Sequence, residues 1–268
     1  MEKRDSIKQL KFAYSLKADY SGPIWQHNFS VMFLPSDTNR QQLSDLRITI
    51  SDCPQYCVTT DHFGNRKLYG CIRRTHNAFE VQISGKAVTG LDIFEEYTPD
   101  PVAYSMLKVQ TELTRPGEAI RTCRRELSLG ECKGPYEKAL KIMHSLHQRL
   151  RYVPGSTTVH ETAETALSLG QGVCQDYAHI MLSLLRMEGI PARYVVGMML
   201  GEGASHAWVE VLCNGYWYGF DPTNDKLVNE EYIRVSCGRD AGDCSVIRGT
   251  FYGLVSQMQQ ERVVVEQI

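Results

Sequence analysis

The sequence predicts an α+β protein: a β-rich module, sandwich-like or barrel-like, followed by a core of helices packed on an antiparallel sheet. Three observations predict it. Short alternating or apolar runs, separated by turn residues, fill the first hundred residues. Near Thr98-Pro99-Asp100-Pro101 the pattern changes to helical periodicity. From Ala192 it returns to strands, two of which flank Asn214-Gly215, a strong signal for a two-residue hairpin turn.

In the first module, Lys11 to Leu16 and His27 to Leu34 read as strands, with Ser21-Gly22-Pro23 as the turn between them. Leu46 to Ser51, Gln55 to Thr60, Lys67 to Arg73 and Ala78 to Ser84 continue at strand-like spacing. Asp61-His62-Phe63-Gly64-Asn65 reads as a hairpin turn, because Gly64 and Asn65 tolerate positive φ. The change of pattern divides the chain into residues 1–98 and 99–268. Helices are expected over about 117–129 and 135–150. A short helix capped by Thr157 or Thr158 is expected to run to about Leu169. The next helix runs from Cys174 to about Met187 and ends at Gly189-Ile190-Pro191. Arg193 to Leu200, His206 to Cys213 and Tyr216 to Asp221 are the expected strands of the core.

Composition narrows the function classes. With 43% hydrophobic and 22% charged residues the chain is ordinary for a globular protein, and 268 residues give ample core. A formal charge of −2 gives no support to a nucleic-acid or membrane partner. The charged start, Met1-Glu2-Lys3-Arg4-Asp5, lacks the apolar stretch of a signal peptide, so a cytoplasmic location is expected. No run approaches the roughly 18 apolar residues of a membrane helix. Nine cysteines are scattered without the paired spacing of a zinc site, so neither a structural metal nor a cofactor is expected. No C-x-x-C motif supports a redox enzyme.

Chemistry concentrates in three segments. In Gly172-Val173-Cys174 the thiol opens a helix, where unpaired N–H groups and the positive end of the dipole favour thiolate, the nucleophilic form. A free cysteine is more commonly a small core residue, and only partners would raise this one above that. The Asn214-Gly215 turn tests for partners. It sets Cys213 opposite Tyr216, Trp208 opposite Asp221 and His206 opposite Thr223. His206, Trp208 and Asp221 then emerge on one face, with His206 and Asp221 diagonal neighbours about 7–8 Å apart at the backbone. A Cys-His-Asp constellation follows. Cys174 attacks an acyl carbon, His206 moves the proton, and Asp221 orients the ring. The Cys174 N–H and the side chain of Gln171 or Gln175 are candidate oxyanion donors, and Trp208 is expected to shield the His-Asp contact. His179, His144, His147 and His160 rank below His206 as the base. His179, five residues past the cysteine on its helix, points away from the thiol.

These segments closely resemble the transglutaminase-like superfamily, in particular the bacterial group named as cysteine proteases. Gly172-Val173-Cys174-Gln175-Asp176-Tyr177-Ala178-His179 is similar to its nucleophile motif, Ser205-His206-Ala207-Trp208-Val209-Glu210 to its histidine strand, and Gly219-Phe220-Asp221-Pro222-Thr223-Asn224 to its aspartate segment. Gly189 to Tyr194 resembles its helix-to-strand turn, and Tyr232 to Asp240 with Arg248 to Gly253 its tail. Asp61 to Asn65 resembles its β-rich N-terminal domain. The resemblance implies a papain-like core with Cys174, His206 and Asp221 as the triad, acting on a peptide or protein. Cys244-Ser245 departs from the pattern, leaving the triad untouched. Hydrolysis of a peptide or amide bond is favoured. Amine transfer, as in transglutaminases, and a binding or scaffold role on the same fold are the alternatives. No acidic loop here suggests calcium activation.

Overall fold

In the computed structural model, which describes residues 7–53, 55–92, 95–96 and 100–268, strand β1 runs unbroken from Lys8 to Leu34. Along its first half Leu10, Phe12, Tyr14, Leu16, Ala18 and Tyr20 are buried and the residues between them are not, as period-two alternation requires. Ser21-Gly22-Pro23, read from sequence as a turn, is instead a bend inside this strand. Around it lie β2 (Gln41–Ile50), β3 (Tyr56–Thr60), β4 (Arg66–Ile72) and β5 (His76–Thr89), of which β2 and β5 are longer than expected. Pairing of β1 with β5 skips from Asp19 to Ile24, so the strand bends without breaking. The bend turns its second half over the first, and the rings of Tyr14 and Phe33 stack 3.8 Å apart.

The division expected between residues 98 and 99 lies outside the described residues. Before it lies the two-residue strand β6 (Glu95–Glu96), and beyond it come helices α1 (Pro101–Met106), α2 (Glu118–Glu126) and α3 (Pro135–Arg149). Pro135 begins α3, where its missing N–H has no intrahelical partner to lose. The short strands β7 (Arg151–Tyr152) and β8 (Gln171–Gly172) pair in parallel across α4 (Ala163–Leu169). Thr162 caps α4, its hydroxyl accepting from the Thr165 N–H at 3.2 Å, in place of the expected Thr157 or Thr158. Those two lie too far upstream to reach the helix's free N–H groups.

Helix α5 (Cys174–Met187) is the hub of the core, with every residue from Asp176 to Arg186 buried. It packs on an antiparallel sheet ordered β13-β12-β11-β9-β14, with β6 pairing β12 as a further strand. These are β9 (Ala192–Met199), β11 (His206–Cys213), β12 (Tyr216–Asp221), β13 (Lys226–Leu227) and β14 (Tyr232–Gly238); β10 (Gly201–Gly203) lies between β9 and β11. The ladder between β11 and β12 runs from Cys213↔Tyr216 to Val209↔Phe220, the register the Asn214-Gly215 turn implies. Both turn residues have positive φ, 52° and 87°.

The chain's last strands, β15 (Ile247–Tyr252) and β16 (Gln257–Gln267), return to the N-terminal sheet and pair with the second and first halves of β1. The β-rich half is therefore built from both ends of the sequence. Polar bonds fasten it to β14. Asn65 donates to the Cys237 carbonyl at 2.7 Å and accepts from the Cys237 N–H at 2.8 Å; Gln41 bonds both the N–H and the carbonyl of Arg234 at 2.8 Å. Asn65, read from sequence as a turn residue, is a buried tie between the two halves.

If this turn sets the register, Gly215→Val should lower stability by about 1–2 kcal/mol in urea unfolding, the usual cost of a left-handed conformation for a side chain. An unchanged midpoint would mean that the turn does not hold the strands in place.

Candidate active site

Cys174 is the first residue of α5, with Val173 as an N-cap that offers no side-chain acceptor. Asp176, one turn on, reaches back to the Val173 N–H at 2.7 Å and accepts the Thr157 hydroxyl at 2.7 Å. Burial pushes this carboxyl up, and the two donors counter it. The close return of the carboxylate explains Gly172: a Cβ there would meet Asp176 Oδ2 at 2.6 Å. Thus Gly-Val-Cys-x-Asp is one local device that turns the chain into the helix and points the thiol out of its start.

His206 opens β11 and Asp221 closes β12, so the register brings them to the same end of the sheet. His206 Nε2 lies 2.7 Å from Asp221 Oδ2, leaving Nδ1 for the Cys174 thiol, which is in hydrogen-bonding contact with the ring. Burial alone would push the imidazole down. The bonds to Asp221 and Cys174, with their charges, outweigh it and push the ring up to about 10.

Asp221 is fully buried. Four other donors converge on it: the Thr223 and Asn224 N–H groups at 3.1 and 3.2 Å on Oδ1, and Asn224 Nδ2 at 2.8 Å and the Tyr232 hydroxyl at 2.9 Å on Oδ2. Burial favours the neutral acid, but these bonds, led by that to His206, hold the carboxyl below its usual range. Trp208 is 1% exposed, stacks beside His206 at 6.3 Å between ring centres and meets Tyr232 edge-on at 5.4 Å. Its six-membered ring lies over Gly197, where a Cβ would come within 2.3 Å of it. Asn224 and Tyr232 were not singled out as site residues from sequence. Asn224 follows the aspartate directly, but Tyr232 comes from another strand and only the fold brings it in.

The remaining candidates fall elsewhere. Gln175 gives its amide N–H to the Val159 carbonyl at 3.2 Å, and Gln171 Oε1 accepts from Arg151 at 3.4 Å. Tyr152, half-exposed, sits opposite Gly172 in the β7–β8 pair, close enough to Cys174 that the thiol's charge adds to burial in raising the phenol. His179 is fully buried, accepts the Ala241 N–H at 3.1 Å, and is pushed by burial to about 4. His147 donates to the Thr223 carbonyl at 2.9 Å and His144 pairs with Asp225, so both pin the loop that follows Asp221; His160 is exposed. Among the described residues no three His, Cys, Asp or Glu side chains are grouped to hold a metal. All nine cysteines are unpaired, and Cys174 is partly exposed. Among the described residues no helix is long and apolar enough to cross a membrane.

Comparison with known proteins supports the same regions. The transglutaminase-like superfamily model matches residues 125–222, and the bacterial transglutaminase-like N-terminal region matches residues 10–88. An uncharacterized Mycobacterium tuberculosis protein is 30% identical over 249 residues, covering 81% of this chain and 79% of its own. An uncharacterized Mycobacterium leprae protein is 44% identical over 173 residues, which span 61% of this chain and 57% of that protein. In structure the chain is similar to a "putative cysteine protease" from Cytophaga hutchinsonii, with a TM-score of 0.80 over 98% of this chain and 92% of the other. At 20% identity that likeness speaks for the fold alone.

Asp221→Ala leaves the His206 charge buried without its partner and should cost about 3–5 kcal/mol in urea unfolding. Because the folded state raises His206, the stabilisation is complete below the unfolded value of about 6.5. It is lost as pH rises toward about 10. The difference between wild type and variant should therefore shrink over that range, and a constant difference would argue against the ion pair.

Proposed function

From the transglutaminase-like superfamily, to which this chain belongs, we propose a cysteine-dependent acyl-transfer enzyme that hydrolyses peptide or amide bonds through a thioester on Cys174. The observation that carries this reading is the imidazole of His206 set between a buried carboxylate, 2.7 Å away, and the thiol that acts on it from a helix start. Cys174 Sγ attacks the substrate carbonyl carbon while His206 Nδ1 holds the thiol proton. The C=O pair moves onto oxygen, which faces the Cys174 N–H. Collapse of the intermediate expels the amine, which takes the proton from the imidazolium and leaves the thioester. Water, deprotonated by His206, then attacks the thioester, and the thiol is released. Asp221 stays ionised throughout and holds the ring in place.

The second oxyanion donor is assigned to the Tyr152 hydroxyl, which sits opposite Gly172 in the β7–β8 pair and within reach of the Cys174 charge, while one of the two Gln175 amide N–H groups is engaged with Val159. The substrate is a peptide or protein segment. A reducing, cytoplasmic setting suits nine unpaired cysteines.

Iodoacetamide labelling tests the thiol directly, and the exposed Cys57 and Cys71 serve as references. Cys174 should alkylate about ten-fold faster or more at neutral pH, and His206→Ala should bring it down to the reference rate. Equal rates in the wild type would remove the catalytic reading and leave a binding role. With a protein substrate and a fluorescent primary amine, new chain termini are expected; amine incorporation without cleavage would assign transamidation instead. Tyr152→Phe should lower kcat about 10²-fold with little change in KM, the usual effect of losing one oxyanion donor.

A further inference from the structure

Strand β10 pairs with Val263 to Val265 of β16 and then leaves it. Carried two residues further, the same register sets Ser205 opposite Glu261, and the Ser205 hydroxyl donates to that carboxylate at 3.2 Å. From there the chain turns away, and His206 joins the core sheet opposite Gly197. Gln257 to Gln260 are left without a neighbour on that side. Strand β16 pairs β1 along its whole length, and among the described residues nothing pairs its other edge before Val263.

In an antiparallel strand, alternate residues turn both N–H and C=O to one neighbour, and the residues between them turn both to the opposite side. Half of these groups in Gln257 to Gln260 therefore face the free edge. The inner face is open as well. Gln257, Gln259 and Glu261 stand opposite Tyr20, Ala18 and Leu16, which are buried in the core, yet all three are exposed. Strand edges are commonly guarded by charge, proline or a bulge. From Gln257 to Gln260 there is no charge and no proline, and the register against β1 is unbroken. The two charges that follow are engaged, Glu261 with Ser205 and Arg262 with Glu202 at 2.8 Å.

This free edge begins beside the candidate base. His206 follows Ser205 directly, and its ring reaches both Asp221 and the Cys174 thiol. A strand advances about 3.3 Å per residue, so a chain lying on Gln260 to Gln257 comes to the thiol within about two or three residues. Strand addition gives main-chain hydrogen bonds to any extended segment and leaves its side chains to the flanking surface. Here that surface is made of glutamines and of Met258, which is 66% exposed.

We propose that the polypeptide substrate docks as an added strand on the free edge of β16, at Gln257 to Gln260, and so carries its scissile bond to Cys174; the docking rests on the chemistry proposed above. The bound segment is extended and takes the place that β10 vacates after Ser205. It has no proline where its own N–H groups face β16. The β-rich half, completed by this C-terminal strand, then binds substrate while the core sheet and α5 carry the chemistry.

Amide exchange read by NMR in Cys174→Ala, with reduced and carboxymethylated α-lactalbumin as the unfolded polypeptide, tests the docking without turnover. Every second amide from Gln257 to Gln260 should exchange about ten-fold more slowly or better in the complex, while those already bonded to β1 stay unchanged. Gln257→Lys with Met258→Lys supplies the charge that guards other edges. On the Cys174→Ala background this pair should weaken lactalbumin binding about ten-fold and leave the urea midpoint unchanged. Should the pair fail to fold, Met258→Lys alone should weaken binding in the same direction. No binding, no added protection at Gln257 to Gln260, or binding that the lysines leave untouched would overturn the inference. Cleavage of lactalbumin by the wild type without that protection would overturn the docking alone. Protection by a polypeptide that the wild type leaves uncut would support the docking and count against the chemistry at Cys174.

Discussion

A carboxylate taken wholly out of water needs its charge matched by bonds, and around Asp221 the fold supplies them. His206 arrives from β11, Tyr232 from β14, and Asn224 with two backbone N–H groups from the loop beyond Asp221 itself. Each donor depends on a different piece of architecture. The hairpin register aligns His206, the order of the sheet sets Tyr232 in reach, and α3 pins the loop through His144 and His147. Remove any one and the buried charge loses part of its compensation. The site and the fold are stabilised by the same contacts.

The N-terminal half takes part in this arrangement. Its sheet needs both ends of the chain, since β16 covers one edge of β1 while β5 covers the other. Asn65 and Gln41 then bond the backbone of β14, the strand that delivers Tyr232. Arg40, next to Gln41, lines a small cavity together with Trp208. A disturbance in the β-rich half thus has a short physical route to Asp221, through one strand and one tryptophan.

What the sequence disclosed was mostly local. Asn214-Gly215 carried enough turn chemistry to fix a register, and the register alone brought His206 and Asp221 together. Helix α5 was legible from its apolar breadth and from the glycine before its cysteine. Contacts between distant segments were not legible. Tyr232 reads as an ordinary strand aromatic, and Asn65 as a turn residue, until the sheets are assembled. The bend at Ser21-Gly22-Pro23 carries turn residues but lies in a strand paired on both sides of it. Strand β16 was hidden because Gln257 to Arg262 are exposed and, Met258 apart, polar, so that the alternation of a strand shows only in the burial of Val263 and Val265.

The role given to Asp221 is tested most directly at the ring it holds. A ¹⁵N NMR titration of His206 in the wild type and in Asp221→Asn reads the imidazole without any substrate. In the wild type the ring should stay protonated through neutral pH and titrate toward about 10, and Asp221→Asn should move that titration down. A His206 that titrates near the ordinary 6.5 in both proteins would contradict the coupling of thiol, imidazole and carboxylate on which the proposed chemistry rests.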